Sequence, residues 1–177
     1  MRPGIDLSSY SKIRLQNAGI EYRPGGESGR MWSSRSRAEH FEVTDSQKER
    51  LVRVVTEVFL DELGKSEKLE LTTEDGPDVL LIKGALPDVV SYVPPEPLGR
   101  SEVFLSEVGA ATLVLEIRDS ITEAILVRAI DRGVAENMGR EPQRSNRAMN
   151  TAEVRRLARR WASALRERLE EFGGKSC

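Results

Sequence analysis

The apolar residues change period several times between the two termini, and each change predicts an element. Over Lys12–Tyr22 the inward positions are Ile13, Leu15 and Ile20, which predicts a first strand. Thr44 and Gln47 then form a capping-box pair, in which each side chain answers the other residue's unpaired backbone N–H. Leu51, Val54, Val55, Val58, Phe59 and Leu63 follow at three- and four-residue intervals, so one apolar stripe runs along a helix that ends at Gly64. Leu69-Glu70-Leu71 alternates as a short strand, and Asp75-Gly76-Pro77 supplies a tight turn. Residues 79–82 are apolar on both faces; the run is short and bounded by Gly and Pro, so a buried strand is expected. Residues 85–93 extend or bend that strand until Pro94-Pro95-Glu96-Pro97 ends it, because proline has no N–H for a ladder.

The clearest alternation spans residues 107–118, with Ala111, Leu113, Leu115 and Ile117 on one side and Thr112, Val114, Glu116 and Arg118 on the other. A short turn at 119–122 leads into residues 123–132, where Ile125, Val127 and Ala129 alternate with Leu126, Arg128 and Ile130. The two stretches are expected to form an antiparallel hairpin. Residues 133–149 read as a polar loop. The last helix is expected to open on Asn150 as N-cap, with Glu153 three positions on and a stripe of Val154, Leu157, Ala158, Trp161, Ala162, Leu165, Leu169 and Phe172. This order predicts an α+β fold: an antiparallel or mixed sheet of about four to five strands with two amphipathic helices packed on one face. One domain covers residues 1–177, with an irregular arm at 1–11 and polar loops at 23–42 and 133–149.

Composition agrees with that architecture and narrows the chemistry. At 177 residues the chain is long enough to bury about two thirds of its unfolded surface without a metal or a disulfide. A single Cys excludes an intrachain disulfide and a Cys-based zinc site, and a single His leaves little for a metal centre. No metal and no other cofactor is expected. A net charge of -2 argues against attraction of the whole molecule to nucleic acid. Residues 128–172 nonetheless hold 11 Arg against seven acidic residues, an excess of +4 that leaves -6 for the remainder. Such a region suits phosphates, lipid headgroups or an acidic partner, although a solvated helix face of mixed sign explains it as well. The aromatics Trp161 and Phe172 lie on the apolar stripe rather than among the arginines, unlike a nucleic-acid platform.

Three stretches carry a resemblance. The arm Arg2-Pro3-Gly4-Ile5-Asp6-Leu7-Ser8-Ser9-Tyr10, the segment 80–95 and the hairpin 108–132 resemble an uncharacterised family of bacterial envelope lipoproteins, the domain of unknown function numbered 3313. Its most specific phrase is Glu116-Ile117-Arg118-Asp119-Ser120 followed by Leu126-Val127-Arg128-Ala129. The resemblance implies a periplasmic domain, tethered to the outer membrane through a secretion leader and a lipid-bearing cysteine; it implies no catalytic residues. This chain shows neither leader nor lipobox after Met1, so a cytoplasmic location is the alternative expectation, and Cys177 stands at the wrong end to carry the lipid. Relatives tend to have a glycine near Glu123-Ala124, where this chain has none, which implies a turn of different shape.

Other candidate chemistry is thin. His40, between Glu39 and Glu42, has no nucleophile elbow nearby and reads as a surface histidine; a hydrolase built on the 23–42 loop is the rival reading. Gly25-Gly26-Glu27-Ser28-Gly29 lacks the Lys and hydroxyl residue of a phosphate-binding loop. The pairs Glu170-Glu171 and Glu74-Asp75 read as solvated charge. The strongest candidate is the sheet face turned away from the helices. If Leu113, Leu115, Ile117, Ile125 and Val127 face the helices, then Val114, Leu126 and Ile130 face outward among Glu116, Arg118, Arg128 and Arg132. Val114, Leu126, Arg128, Ile130 and Arg132 are therefore the expected interaction surface, for a protein or envelope ligand or for a second copy in a homo-oligomer; a cover supplied by the chain's own loops at 23–42 or 96–106 is the equal alternative. The expected function is a non-enzymatic binding domain of the envelope.

Overall fold

The computed structural model describes residues 7–22, 44–91, 104–105, 107–136, 143–144 and 147–173. The strand β1 (Lys12–Tyr22) lies between β2 (Glu70–Leu71) and β3 (Val79–Ser91) and is parallel to both. Beyond β3 come β5 (Glu107–Asp119) and β6 (Ile125–Glu136), each antiparallel to its neighbour, so the mixed sheet has the order β2-β1-β3-β5-β6. A separate ribbon joins β4 (Phe104–Leu105) to β7 (Gln143–Arg144). The helices are α1 (Asp45–Leu63) and α2 (Arg147–Gly173).

Helix α1 begins as its sequence predicts. Thr44 Oγ1 accepts from the Gln47 N–H at 3.3 Å, and the Gln47 side chain accepts from the Thr44 N–H at 2.8 Å, which closes the capping box. It ends at Gly64, whose φ of -66° is right-handed. The space there is tight: a Cβ would lie 3.1 Å from the Leu60 carbonyl oxygen and 3.3 Å from Leu71.

Both helices pack on one face of the sheet and against each other, α1 over β1 and α2 over β5 and β6. Val58, Phe59 and Leu63 of α1 and Leu157, Trp161 and Leu165 of α2 form one cluster with Ile13, Leu80, Ile82, Leu113, Leu115 and Ile117. Each such aliphatic side chain contributes about 1.5–3 kcal/mol on burial. Leu7 from the arm is part of the same cluster, so the arm is tied down from that residue onward.

Strand β3 extends past residue 85 as expected, and two other boundaries differ from expectation. Strand β3 runs through Pro87 because the register with β5 shifts between Ala85 and Asp88, and the residue without an N–H falls inside that irregularity. Strand β6 continues to Glu136 rather than stopping at Arg132. Gly133, read as the start of a loop, is where α2 crosses the strand: a Cβ there would collide with Leu157 Cδ1 and lie 2.8 Å from Trp161 Cζ2. Helix α2 starts at Arg147, three residues before the expected cap at Asn150, since Arg147-Ala148-Met149 are all good helix formers.

Candidate functional site

Antiparallel register fixes which outward side chains of β3, β5 and β6 stand in line, and they sort into five rungs across the helix-free face. These are Leu81·Arg118·Ile125, Lys83·Glu116·Arg128, Ala85·Val114·Ile130, Asp88·Thr112·Arg132 and Val90·Ala110·Val134. The end rungs are closed at β3, where Leu81 is 1% and Val90 6% exposed. The middle rung opens toward β6, where Ile130 is 67% exposed, the most exposed large apolar side chain among the described residues. An apolar row thus lies between two charged rows.

The charged side chains of both rows have partners. In one, the Glu116 carboxylate accepts from Arg128 Nε at 2.8 Å and from Arg118 Nε at 3.0 Å. The Arg128 and Arg118 guanidiniums, in that order of effect, hold the Glu116 carboxyl below the ordinary glutamate range. In the other, Asp88 accepts from Arg132 at 2.9 Å and from the Thr112 hydroxyl at 3.4 Å. Lys83 pairs with Glu123 at 3.4 Å across the turn. The two arginines of β6 are half exposed and hold donors beyond those used in these bonds, since each guanidinium carries five N–H groups.

Of the five residues expected to form this surface, Val114, Arg128, Ile130 and Arg132 stand together on it. Leu126 does not. The register skips it, with Ile117 opposite Val127 and Arg118 opposite Ile125, and the bulge turns Leu126 to pack against the core cluster. Ile125, expected to face the helices, instead lies opposite Arg118 and is 44% exposed. Sequence reading missed the contribution of β3, namely Lys83, Ala85 and Asp88. Alternation from Leu81 is the signal that could have placed the first two, but the shift around Pro87 that brings Asp88 onto the same face leaves no mark in periodicity.

The turn beside this surface is built around Asp119. Its Oδ1 accepts from the N–H groups of Ile121 and Thr122 at 3.1 and 2.7 Å, and its Oδ2 accepts from the Tyr10 hydroxyl at 2.9 Å. The Thr122 N–H, followed by the Tyr10 hydroxyl, holds the Asp119 carboxyl below its ordinary value. Ser120, buried, donates to the Gly76 carbonyl and accepts from the Gly76 N–H, which locks this turn to the one before β3. Glu123 completes the turn with φ +55°, in the left-handed region that favours glycine.

Part of the basic stretch of α2 faces α1. Arg155 pairs with Glu57 of α1 at 2.8 Å, Arg156 with the buried Glu153 at 2.6 Å, and Arg159 lies 3.7 Å from the buried Glu62. Glu62 also accepts from Lys65 at 2.6 Å and from the Ser163 hydroxyl at 3.2 Å, and Lys65 is the main cause of its lowered pKa. Glu170 pairs with Arg166, Glu171 with Arg168, and Asp75 with Arg14 at 2.8 Å. Among the described residues no three His, Cys, Asp or Glu side chains converge as a metal site, and no helix is long and apolar enough to cross a membrane. His40, the loop at 23–42 and Cys177 lie outside the described residues.

No curated protein matches the sequence. Among solved structures the chain path is similar to protein XCC0632 from Xanthomonas campestris, at 11% identity over 97% of this chain and 90% of that one, with a TM-score of 0.48. It is similar also to the PelC dodecamer from Paraburkholderia phytofirmans, at 10% identity over 92% and 93% and a TM-score of 0.45. The hypothetical protein CT253 from Chlamydia trachomatis is a third, at 11% identity over 89% and 98% and a TM-score of 0.42. The sequence itself matches the family described as protein of unknown function DUF3313 over residues 1–165, and the chain belongs to that family.

Proposed function

We propose that this is a non-enzymatic binding domain of the bacterial cell envelope, carried by a lipid-anchored protein, which takes a protein or an envelope ligand on the helix-free face of its sheet. The observation that carries the reading is the rung Ala85·Val114·Ile130, apolar and open at Ile130, between two rows whose charges already have partners. An apolar centre with an ordered polar border is how contact surfaces are built, because the centre gains from desolvation and the border stays hydrated. The resemblance to envelope lipoproteins supports the location and the anchor.

Two experiments test it. Palmitate labelling and fractionation of cells expressing the intact gene product are expected to find it acylated in the envelope; an unlabelled protein in the cytosol contradicts the location. On native gels of solubilised envelope, the tagged protein is expected to run in a complex that Ile130→Asp dissolves, since a charge placed in a desolvated contact is costly. Leu60→Asp, on the helix side, is expected to leave the complex intact. Equal behaviour of the two variants contradicts the assignment of the face.

A further inference from the structure

The two edges of the sheet are unlike. One ends in the two-residue β2; the other ends in β6, twelve residues long and without proline, which among the described residues pairs only with β5. A long edge strand presents a row of backbone donors and acceptors ready for another strand. The bulge at Leu126 removes the beginning of β6 from regular pairing; the stretch that remains, residues 127–136, has Asp131 and Arg132 at its middle, with a second irregularity in β5 opposite its last residues. We infer that β6 pairs antiparallel with β6 of a second copy about a two-fold axis at Arg132, which joins the two sheets into one.

Side-chain complementarity selects this partner and this register. With Arg132 opposite itself, the outer face sets Ile130 against Val134 and Arg128 against Glu136, each twice by symmetry. The apolar row of one copy then continues into the apolar row of the other, and the arginine-bearing row meets a carboxylate, which has room for more than one donor. The single like-charge pair, Arg132 with itself, is moderated because Asp88 already holds each guanidinium at 2.9 Å. On the helix face Ala129 meets Ala135 and Asp131 meets Gly133, so small side chains occupy most of the seam beneath the two α2 helices. Neighbouring registers are poorer. A slip of one residue per strand either way sets Arg128 on Val134 or Ile130 on Glu136; centring on Ile130 creates two Arg128–Arg132 contacts; centring on Val134 leaves only the last few residues paired. An isologous contact of this kind needs no other protein.

The test uses the whole chain with Cys177→Ser, so that the native thiol plays no part. Sedimentation equilibrium is expected to show a monomer–dimer equilibrium, and Arg128→Glu is expected to weaken it roughly tenfold through two symmetric pairs. Arg132→Cys is expected to form an intermolecular disulfide under mild oxidation, because residues facing across an antiparallel pair have the Cα separation a disulfide requires. Ile130→Cys and Val134→Cys are each about 13 Å from their own symmetry mates. Neither is expected to self-link, whereas a mixture of the two links. A monomer at every concentration, or self-linking at 130 or 134 instead of 132, overturns the inference. Ile130 belongs to both surfaces, so the composition of the complex separates the two readings: a strict monomer whose envelope complex holds a second molecular species and dissolves with Ile130→Asp sinks the dimer alone, and a dimer whose complex holds only this chain sinks the docking reading alone.

Discussion

Glu123 shows how one residue can be held in an unfavourable conformation by the bonds around it. Its φ of +55° places Cβ against its own backbone, at about 1 kcal/mol, while its N–H donates to the Asp119 carbonyl at 3.0 Å and its carbonyl accepts from Arg118 at 3.0 Å. The side-chain pairs with Lys83 and Arg118, at 3.4 and 3.9 Å, are solvent-exposed at the carboxylate and contribute little. Glu123→Gly keeps both backbone bonds and removes the strain, against some added freedom of the unfolded chain. Thermal unfolding is therefore expected to show a gain of about 0.5 kcal/mol, or roughly 1–2 °C in Tm. A lower Tm would mean that the ion pairs outweigh the strain. The absence of glycine at this turn is visible in the sequence; the conformation that makes its absence matter is not, because it follows from Asp119 capturing the N–H groups of residues 121 and 122.

Elements were readable where periodicity and capping chemistry act locally. Thr44 and Gln47 announce α1 without any tertiary information, and Thr44→Ala is expected to cost about 1 kcal/mol in chemical denaturation. The hairpin of β5 and β6 was likewise readable from alternation, but its length was not. Gly133 looks like a strand terminator until α2 is seen crossing it, and the close approach of Leu157 and Trp161 is a long-range fact. Gly133→Ala is accordingly expected to destabilise by about 1–3 kcal/mol, far more than an alanine in an open strand. The bulge at Leu126 was unreadable for a related reason: it inverts Ile125 and Leu126 without altering either residue's hydrophobicity. Between the helices, Glu62 has a lowered pKa, so it binds protons less readily folded than unfolded. Its contribution to stability is full above the ordinary glutamate value of 4.5 and is lost as pH falls through the depressed value. Glu62→Gln is expected to flatten the acid limb of a stability–pH curve; an unchanged acid limb would show that the carboxylate between the helices is not responsible.

Among the described residues, two helices close one face of the sheet, and on the other the strands carry a border of paired charges. Sequence alternation predicted that asymmetry and four of the residues on the open face. What it could not supply was the order of the strands, which places β3 beside β5 and completes the rungs with Lys83, Ala85 and Asp88. Only in that order do Glu116 and Asp88 sit where they neutralise the β6 arginines and leave Ile130 as an apolar opening with an ordered border. Membership of the DUF3313 family places the same architecture in relatives without saying what any of them binds. The claim that this face is the binding surface is tested most directly by a photo-reactive amino acid incorporated at Ile130 and, separately, at Leu60 in cells carrying the intact protein. A discrete adduct with a second molecular species at Ile130 and none at Leu60 is the predicted result; adducts at Leu60 alone, or at neither position, would contradict it.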